Sequence, residues 1–558
     1  FLADLLTSRP ALIPGLAAAW TAPLSPELLR AAMEPPAGDD DSLKTQLRRL
    51  RQQAMAHIAL RDLCGLAPLA EVVESMTLLA DFTTNFALDH HHRQLVATYG
   101  EPLDKAGRPQ RLLIIGMGKL GGRELNVSSD VDYIFVYPEE GDTAGPKSIE
   151  NYDFFTRLGK RVISALGEIT ADGQVFRVDM RLRPNGDSGP LVCSLDALEN
   201  YFITQGREWE RYAWIKGRTM NAGDNLQPDW VTAMQKIARP FVFRKYLDFG
   251  AINAMRDLHA QIRREVARKD MADHVKLGPG GIREIEFIAQ VFQLIRGGRD
   301  QALQIRPTLS VLKLLAERRL IQGEPEDELR EAYIFPRRLE HRLQYIEDKQ
   351  THMLPTNPAD QASTARSMGF ADWPAMLFVL DAHRDKVSRH FEQIFSDPEA
   401  GEHPLTGLWM GQLDDDAAIE AFGELGYRQP REAITRLAEL RSSNRYLQLP
   451  TTNRSRLDAV GPRLIEAAGA TGNPDTTLAR SLNFIESISR RGAYLALLQQ
   501  YPMALRRVAD MVCASSWATD YLGRHPLLLD ELLDPRLYDI ATDWANFREE
   551  LRRSLADH

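Results

Sequence analysis

The stretch Gly116-Met-Gly-Lys-Leu-Gly-Gly-Arg-Glu-Leu-Asn-Val-Ser-Ser-Asp-Val-Asp-Tyr-Ile-Phe-Val-Tyr137 constrains the fold more than any other part of this chain. The apolar run Leu112 to Ile115 leads into its first glycine, and a second apolar run, Val131 to Tyr137, closes it. This pattern predicts strand, short helix, strand. A helix over Tyr152 to Leu166 and an extended run over Val175 to Leu182 complete a small mixed α/β unit. Asp130 and Asp132, at i and i+2, project to one face of the strand they open.

Three chemistries compete for this stretch. A P-loop needs G-x-x-x-x-G-K-[ST], and Leu120 follows Lys119, so that reading fails. A dinucleotide fingerprint matches Gly116-x-Gly118-x-x-Gly121, with Glu139 or Glu140 as the distal acid. Its next strand, however, comes only about nine residues later and opens on two aspartates, where a Rossmann strand is buried and apolar. The third reading starts from the paired carboxylates, which repel and raise each other's proton affinity until a divalent cation relieves them. Oxygen ligands at this spacing suit Mg²⁺, with substrate phosphate completing the octahedron. Gly118 and Lys119 open a helix twelve residues before Asp130 and offer backbone N–H groups and a point charge to phosphate.

A Gly-Lys turn, a spacer and Asp-x-Asp on a strand resemble the DNA polymerase beta-like nucleotidyltransferase superfamily. That superfamily takes a third carboxylate from a later strand. The best match is Asp179 in Val175-Phe-Arg-Val-Asp-Met-Arg-Leu-Arg-Pro184, where Arg177, Asp179, Arg181 and Arg183 would share one face. An edge strand with paired surface charges is the alternative. The segments GMGKLGGRELNVSSDVDYIF, RVDMRLRPNGDSGPLV, GREWERYAWIKGR and KLGPGGIREIEFIAQVFQLIRGG, in this order, resemble the N-terminal, adenylyl-removing half of the glutamine synthetase adenylyltransferase family. Members have two nucleotidyltransferase halves joined by a helical middle region. The resemblance covers roughly residues 40–395, and the helical remainder looks like the middle region. No second Gly-Lys…Asp-x-Asp block follows, which implies a chain ending before the adenylylating half.

The resemblance implies removal of AMP from an adenylylated tyrosine of glutamine synthetase by phosphorolysis, with inorganic phosphate as nucleophile and ADP as product. Asp130 and Asp132 would hold Mg²⁺, and Asp179 would complete a second metal site. Lys119, Arg181 and Arg183 are the cations expected to offset repulsion between phosphate and AMP. Ser129 reads equally as a phosphate donor or as a turn residue. Gly278-Pro-Gly-Gly281 opens a helix bearing Arg283, Glu284 and Glu286, a weaker candidate set behind the site or a plain loop-to-helix turn. In Trp209-Glu-Arg-Tyr-Ala-Trp214 the aromatics stack on adenine or pack against later helices. The implied partners are adenylylated glutamine synthetase and the PII signal protein, whose uridylylated form would promote removal. The alternatives are adenylyl transfer from ATP onto a protein tyrosine and a catalytically silent nucleotide-sensing module. Three clustered acids weigh against the latter, since a pure binding module has no need to bear their repulsion.

Composition narrows the rest. The 558 residues carry a formal charge of −9, a poor match to nucleic acid, which selects basic surfaces. Cys64, Cys193 and Cys513 are too few and scattered for a disulfide framework or a cysteine zinc site, which leads to the expectation of a cytoplasmic protein. The uncharged stretch Pro10 to Pro26 holds four prolines and falls short of a membrane span. The first residue is Phe1, so a preceding piece is expected. Of the 68 basic residues only 13 are lysine, which makes a lysine inside a motif noticeable. His90, His91 and His92 read as a solvated helix end, because neighbouring helical positions point about 100° apart and cannot all reach one ion. Apolar faces are expected at Ile252, Met255, Leu258, Ile262 and Val266, and at Ile285, Ile288, Phe292 and Ile295. The expected class is α+β, mostly helical. A helical region at 1–110 precedes a nucleotidyltransferase core at 111–220 and a helical domain at 221–395 that completes the site. A linker at 396–415 leads to a helical connector at 416–558.

Overall fold

The two apolar runs flanking the Gly-Lys turn pair as antiparallel strands, β1 (Leu113–Gly116) and β2 (Val131–Tyr137), in register from Leu113↔Val136 to Gly116↔Tyr133. The structure is a computed structural model. It describes residues 2–33, 39–221, 228–244, 273–318, 320–321, 325–346, 348–395, 403–500 and 502–525, with Arg268, Leu529 and Arg548 besides. The expected helix face from Ile252 to Val266 lies outside the described residues.

β2 is the central strand. β3 (Val178–Asp179) and β4 (Val192–Ser194) run parallel to it, one after the other along the edge away from β1, and β5 (Arg218–Thr219) flanks β1 antiparallel. Every residue of β1 and β2 is buried except Asp132, which is half-buried. A strand this apolar tolerates one polar position because that position points at the site.

Long helices cover the sheet. Asp39 caps α1 (Asp40–Leu63) by accepting from the Ser42 N–H at 2.7 Å, and Asp40 and Asp41 favour the positive end of the helix dipole. The next helix, α2 (Leu69–Tyr99), runs for 31 residues to Gly100, and the Gly-Lys turn forms the short α3 (Gly118–Gly121). Phe154, Phe155, Leu158, Val162 and Leu166 make a helical stripe on α4 (Asn151–Gly167) and join residues of α1, α2, β1 and β2 in one apolar core. Each such side chain, fully buried, is worth about 1.5–3 kcal/mol. Helices α5 (Ile282–Arg296), α6 (Thr308–Glu317) and α7 (Pro325–Tyr345) follow, with Pro336 inside α7. Ile285, Ile288 and Ile295 are buried on α5, as expected.

Two local readings are corrected. The run Val175 to Leu182 is extended only at Val178–Asp179, because the Asp179 carboxylate accepts from the backbone N–H of Arg181 at 2.8 Å and turns the chain. The histidine triplet is buried, not a solvated helix end: α2 continues past it to Tyr99, and His92 packs edge-on against Phe154 of α4.

The chain divides into two compact units. The first comprises residues 1–245 and 255–394 and contains everything above; the second comprises 246–254 and 395–558. In the second, the described elements are all helices. Within 396–415, helix Thr406–Met410 is present, and Asp414 caps the helix Asp415–Glu424 by accepting from the Ala417 N–H at 2.8 Å. Trp409 is fully buried there and donates to Asp458 Oδ1 at 2.9 Å, an oxygen that also accepts from the Tyr446 hydroxyl at 2.7 Å. No described helix is long and apolar enough to cross a membrane. The fold is α+β, mostly helical, around a small mixed sheet of five strands.

Candidate active site

The acids meet because of strand register. β3 pairs with β2 so that Asp132 and Asp179 are direct partners on adjacent parallel strands, and Asp130 lies two residues before Asp132 on the same face. The turn before α3 closes over them: the Met117 N–H donates to the Asp132 carbonyl at 2.9 Å. Gly118 has φ +53°, and a β-carbon there would stand 3.1 Å from Asp132 Oδ2, so glycine lets the backbone approach the carboxylate. Burial first, then Asp179 and Asp130, push the Asp132 carboxyl up to about 6, against the pull of Lys276 and Arg181.

Arginines hold the outer two acids. Arg177 Nε donates to Asp130 Oδ1 at 2.7 Å, and its Nη2 donates to Ser128 Oγ at 3.3 Å. Arg181 Nε donates to Asp179 Oδ2 at 2.8 Å, and these hydrogen bonds hold the Asp179 carboxyl below its ordinary value. Arg183 turns into its own loop, donating to the carbonyls of Met180 at 2.8 Å and Gly189 at 3.4 Å. Ser129 is half-buried beside Asp130. Gly118, Asp130, Asp132, Asp179 and Arg181 are therefore brought together, while Arg183 supports the loop.

Lys119 points inward. Its Nζ lies 3.1 and 3.3 Å from the two oxygens of the fully buried Glu340 on α7, and His352 Nδ1 lies 2.6 Å from the same carboxylate. Burial pushes the Lys119 amine down to about 7, with Glu340 pulling the other way. Behind it, Lys216 Nζ donates to Glu124 Oε2 at 2.6 Å and Thr308 Oγ1 at 3.1 Å, and the Thr308 N–H donates to Glu124 Oε1 at 2.6 Å. Glu286 stands 4.0 Å from Lys216; burial opposes its ionisation, yet Lys216, Lys119, Lys276 and Arg337 outweigh burial and hold its carboxyl below the ordinary value. Glu284 instead accepts from the Gly280 N–H at 3.1 Å and shapes the turn, and the Arg283 N–H donates to the Lys276 carbonyl at 3.1 Å. Tyr212 and Trp214 pack, against Phe287 and Phe202 respectively, whereas Trp209 is exposed.

Sequence reasoning missed Lys216, Lys276, Glu124 and Glu340. A signal existed for the lysines. Among only 13 in the chain, Lys119, Lys216 and Lys276 each fall within a motif quoted above, and all three act on Glu286.

Gly121 is needed for a different reason. A β-carbon there would fall on the carbonyl oxygens of Lys216 and Gly116, which are backbone and cannot swing aside. Gly121→Ala is expected to destabilise the chain by about 2 kcal/mol, read as a lower urea midpoint at unchanged slope.

The glutamate-ammonia ligase adenylyltransferase family model matches residues 1–232, and the GlnD PII-uridylyltransferase model matches residues 256–395. The chain is 58% identical over its full length to a bifunctional glutamine synthetase adenylyltransferase/adenylyl-removing enzyme of Aromatoleum aromaticum, of which it covers 58%. It is 51% identical, again over its full length, to the enzyme of the same name from Chromobacterium violaceum, covering 62% of it. Over 97% of the chain it is 48% identical to that of Ralstonia nicotianae, covering 59%. The chain is thus similar along its whole length to enzymes of this name. It spans about three-fifths of the length of these relatives. The acids, Lys119 and Lys216 fall within the first matched region, and Lys276, Glu286 and Glu340 within the second. The buried ionic network thus joins the two matched regions.

Proposed function

We propose that the chain removes AMP from an adenylylated tyrosine of glutamine synthetase by metal-dependent phosphorolysis, releasing ADP. The observation that carries this is the pairing of Asp132 with Asp179 on adjacent strands, two residues from Asp130 and under a Gly-Lys turn, where burial and the two further acids push the Asp132 carboxyl up. Three clustered acids on one sheet face are an arrangement that a divalent cation relieves, and an all-oxygen donor set suits Mg²⁺. Asp130, Asp132 and Asp179 would hold it. When bound, the metal supplies charge neutralisation at the phosphoryl oxygens and at the departing tyrosinate.

The residues of the chain do the positioning. Backbone N–H groups at Gly118 and Lys119 face the incoming phosphate, and Ser129 hydrogen-bonds it. Arg181, which is solvent-exposed on Asp179, can exchange that carboxylate for phosphate at little cost. Lys119 offsets the repulsion between two anions. Phosphate is already ionised near neutral pH, so no carboxylate has to act as a base. The Arg283, Glu284 and Glu286 segment supports the site from α5, and residues 416–558 serve as connector. The PII signal protein, in its uridylylated form, is the proposed activator.

The test is incubation with adenylylated glutamine synthetase, Mg²⁺ and phosphate, with and without PII. ADP formed only when phosphate is present supports removal. Pyrophosphate released from ATP with AMP gained by the protein identifies the adenylylating reading, and no turnover at all identifies a sensing module.

A pH dependence follows from Lys119. Its amine is charged below about 7 and neutral above, so phosphate-dependent release is expected to fall as pH rises through about 7. Glu340→Gln removes the anion that favours the charged amine and should move this alkaline limb to lower pH. Phosphate titrates in the same range, but its own ionisation is indifferent to Glu340. An unmoved limb in pH–rate profiles of the variant removes Lys119 from the mechanism.

A further inference from the structure

The buried histidine pair of α2 has a carboxylate facing it that the proposed reaction does not use. His90 Nε2 lies 3.8 Å and His91 Nδ1 3.6 Å from Asp40 Oδ1, and the three ligand atoms are all within 4.8 Å of one another. Adjacent helical residues point about 100° apart, yet both rings reach Asp40 because one offers its far nitrogen and the other its near one. His92 faces elsewhere, its Nε2 lying 3.4 Å from Glu101. Asp40 Oδ1 is buried and has no hydrogen-bond partner. Gln94 spans the two rings, with Nε2 at 3.0 Å from His90 Nε2 and Oε1 at 3.2 Å from His91 Nδ1, while Arg161 Nη1 donates to the same Oε1 at 3.1 Å.

We propose that Asp40, His90 and His91 form a zinc site separate from the Asp130–Asp132–Asp179 cluster. Tetrahedral Zn²⁺ with bonds of about 2.0–2.1 Å places its ligand atoms about 3.3 Å apart. The observed 3.6 and 3.8 Å to Asp40 Oδ1, with the two imidazole nitrogens within 4.8 Å of each other, leave a few tenths of an ångström to about 1.5 Å for side-chain adjustment. Two imidazoles and one carboxylate suit Zn²⁺ or Co²⁺ and disfavour Mg²⁺, which selects oxygen. Arg161 retains the Gln94 oxygen, and water takes the fourth position. The ion clasps the first turn of α1 to the middle of α2, the helix whose Asp81 accepts from Arg218 of β5 at 2.9 Å.

Co²⁺ reports the site directly. Titration of the metal-stripped chain in excess Mg²⁺, which occupies the oxygen site, is expected to give the intense visible bands of four-coordinate Co²⁺ at one equivalent. The Asp130→Asn/Asp132→Asn variant should keep these bands, so this result is independent of the proposed reaction. His90→Ala, His91→Ala and Asp40→Ala should each lose them, and Asp40→Ala, at a partly exposed helix start, retains the fold. Zn²⁺ should displace Co²⁺ and raise the melting temperature of the wild type but not of Asp40→Ala. Absence of the bands in the wild type, or their survival in both histidine variants, overturns the site.

Discussion

Asp132→Asn is expected to abolish phosphate-dependent AMP release, by about a thousand-fold or more, while leaving the chain at least as stable as the wild type. The two halves of this result come from one cause. Asp132 is the half-buried member of an otherwise buried strand, and burial together with Asp179 and Asp130 raises its carboxyl from 3.8 to about 6. A raised folded-state value means that the native protein binds this proton more tightly than the unfolded chain does. The resulting penalty is absent below about pH 4 and fully present above about pH 6, where it corresponds to about 3 kcal/mol before solvent screening. Asparagine keeps the shape and removes the charge, so a gain of about 1–3 kcal/mol is expected near neutral pH and none in acid. Mg²⁺ relieves the same repulsion, so it should raise the melting temperature of the wild type near pH 7 and have little effect on Asp132→Asn. A variant that loses both activity and stability would make Asp132 a structural residue, and one that retains wild-type rates would remove it from catalysis.

The largest loss of stability is expected at Lys216, not at an acid. Lys216→Met keeps the length of the stem but leaves the buried Glu124 side chain without its ion-pair partner, with Thr308 as its remaining neutral donor. Removing one partner of a buried pair costs about 3–5 kcal/mol. Glu124 also organises the chain around it, since it accepts from the backbone N–H of Thr308 at the start of α6, and its own carbonyl accepts from Arg337 of α7 at 2.6 Å. The double variant Lys216→Met/Glu124→Gln retains an acceptor for the Thr308 N–H without the stranded charge, and most of the loss should return. Denaturant midpoints of the single and double variants measure this coupling. Additive losses would mean that the pair contributes no more than two separate side chains.

The sheet and the acids were legible because they rest on local pattern. The apolar run Val131 to Tyr137, which reads as a strand, and the i, i+2 spacing of Asp130 and Asp132 place both carboxylates on one face before any tertiary contact is known. Asp179 was legible only through resemblance, since its partnership with Asp132 depends on strand register across more than forty residues. The alternation of Arg177, Arg181 and Arg183 misled, because Asp179 captures the Arg181 N–H and the segment turns. The histidine triplet misled for the opposite reason: helical geometry excludes convergence of three rings but not of two that use different nitrogens. Lys119 was identified without its partner. Glu340 lies 221 residues further on, and no short-range pattern links an acid on α7 to a glycine turn after β1.

The third acid is placed by a ladder only two residues long, Val131↔Val178 and Asp132↔Asp179. In a strand, sliding by one residue reverses every side chain. A deletion or insertion between Val175 and Asp179 would therefore present Val178 or Met180 to the site and send Asp179 to the other face, leaving composition and helical content unchanged. Length changes in the half-buried turn around Gly173 leave the count from Val175 to Asp179 unchanged. The geometry of the acid cluster is accordingly more sensitive to the count of residues in one short segment than to the identity of most of the surface.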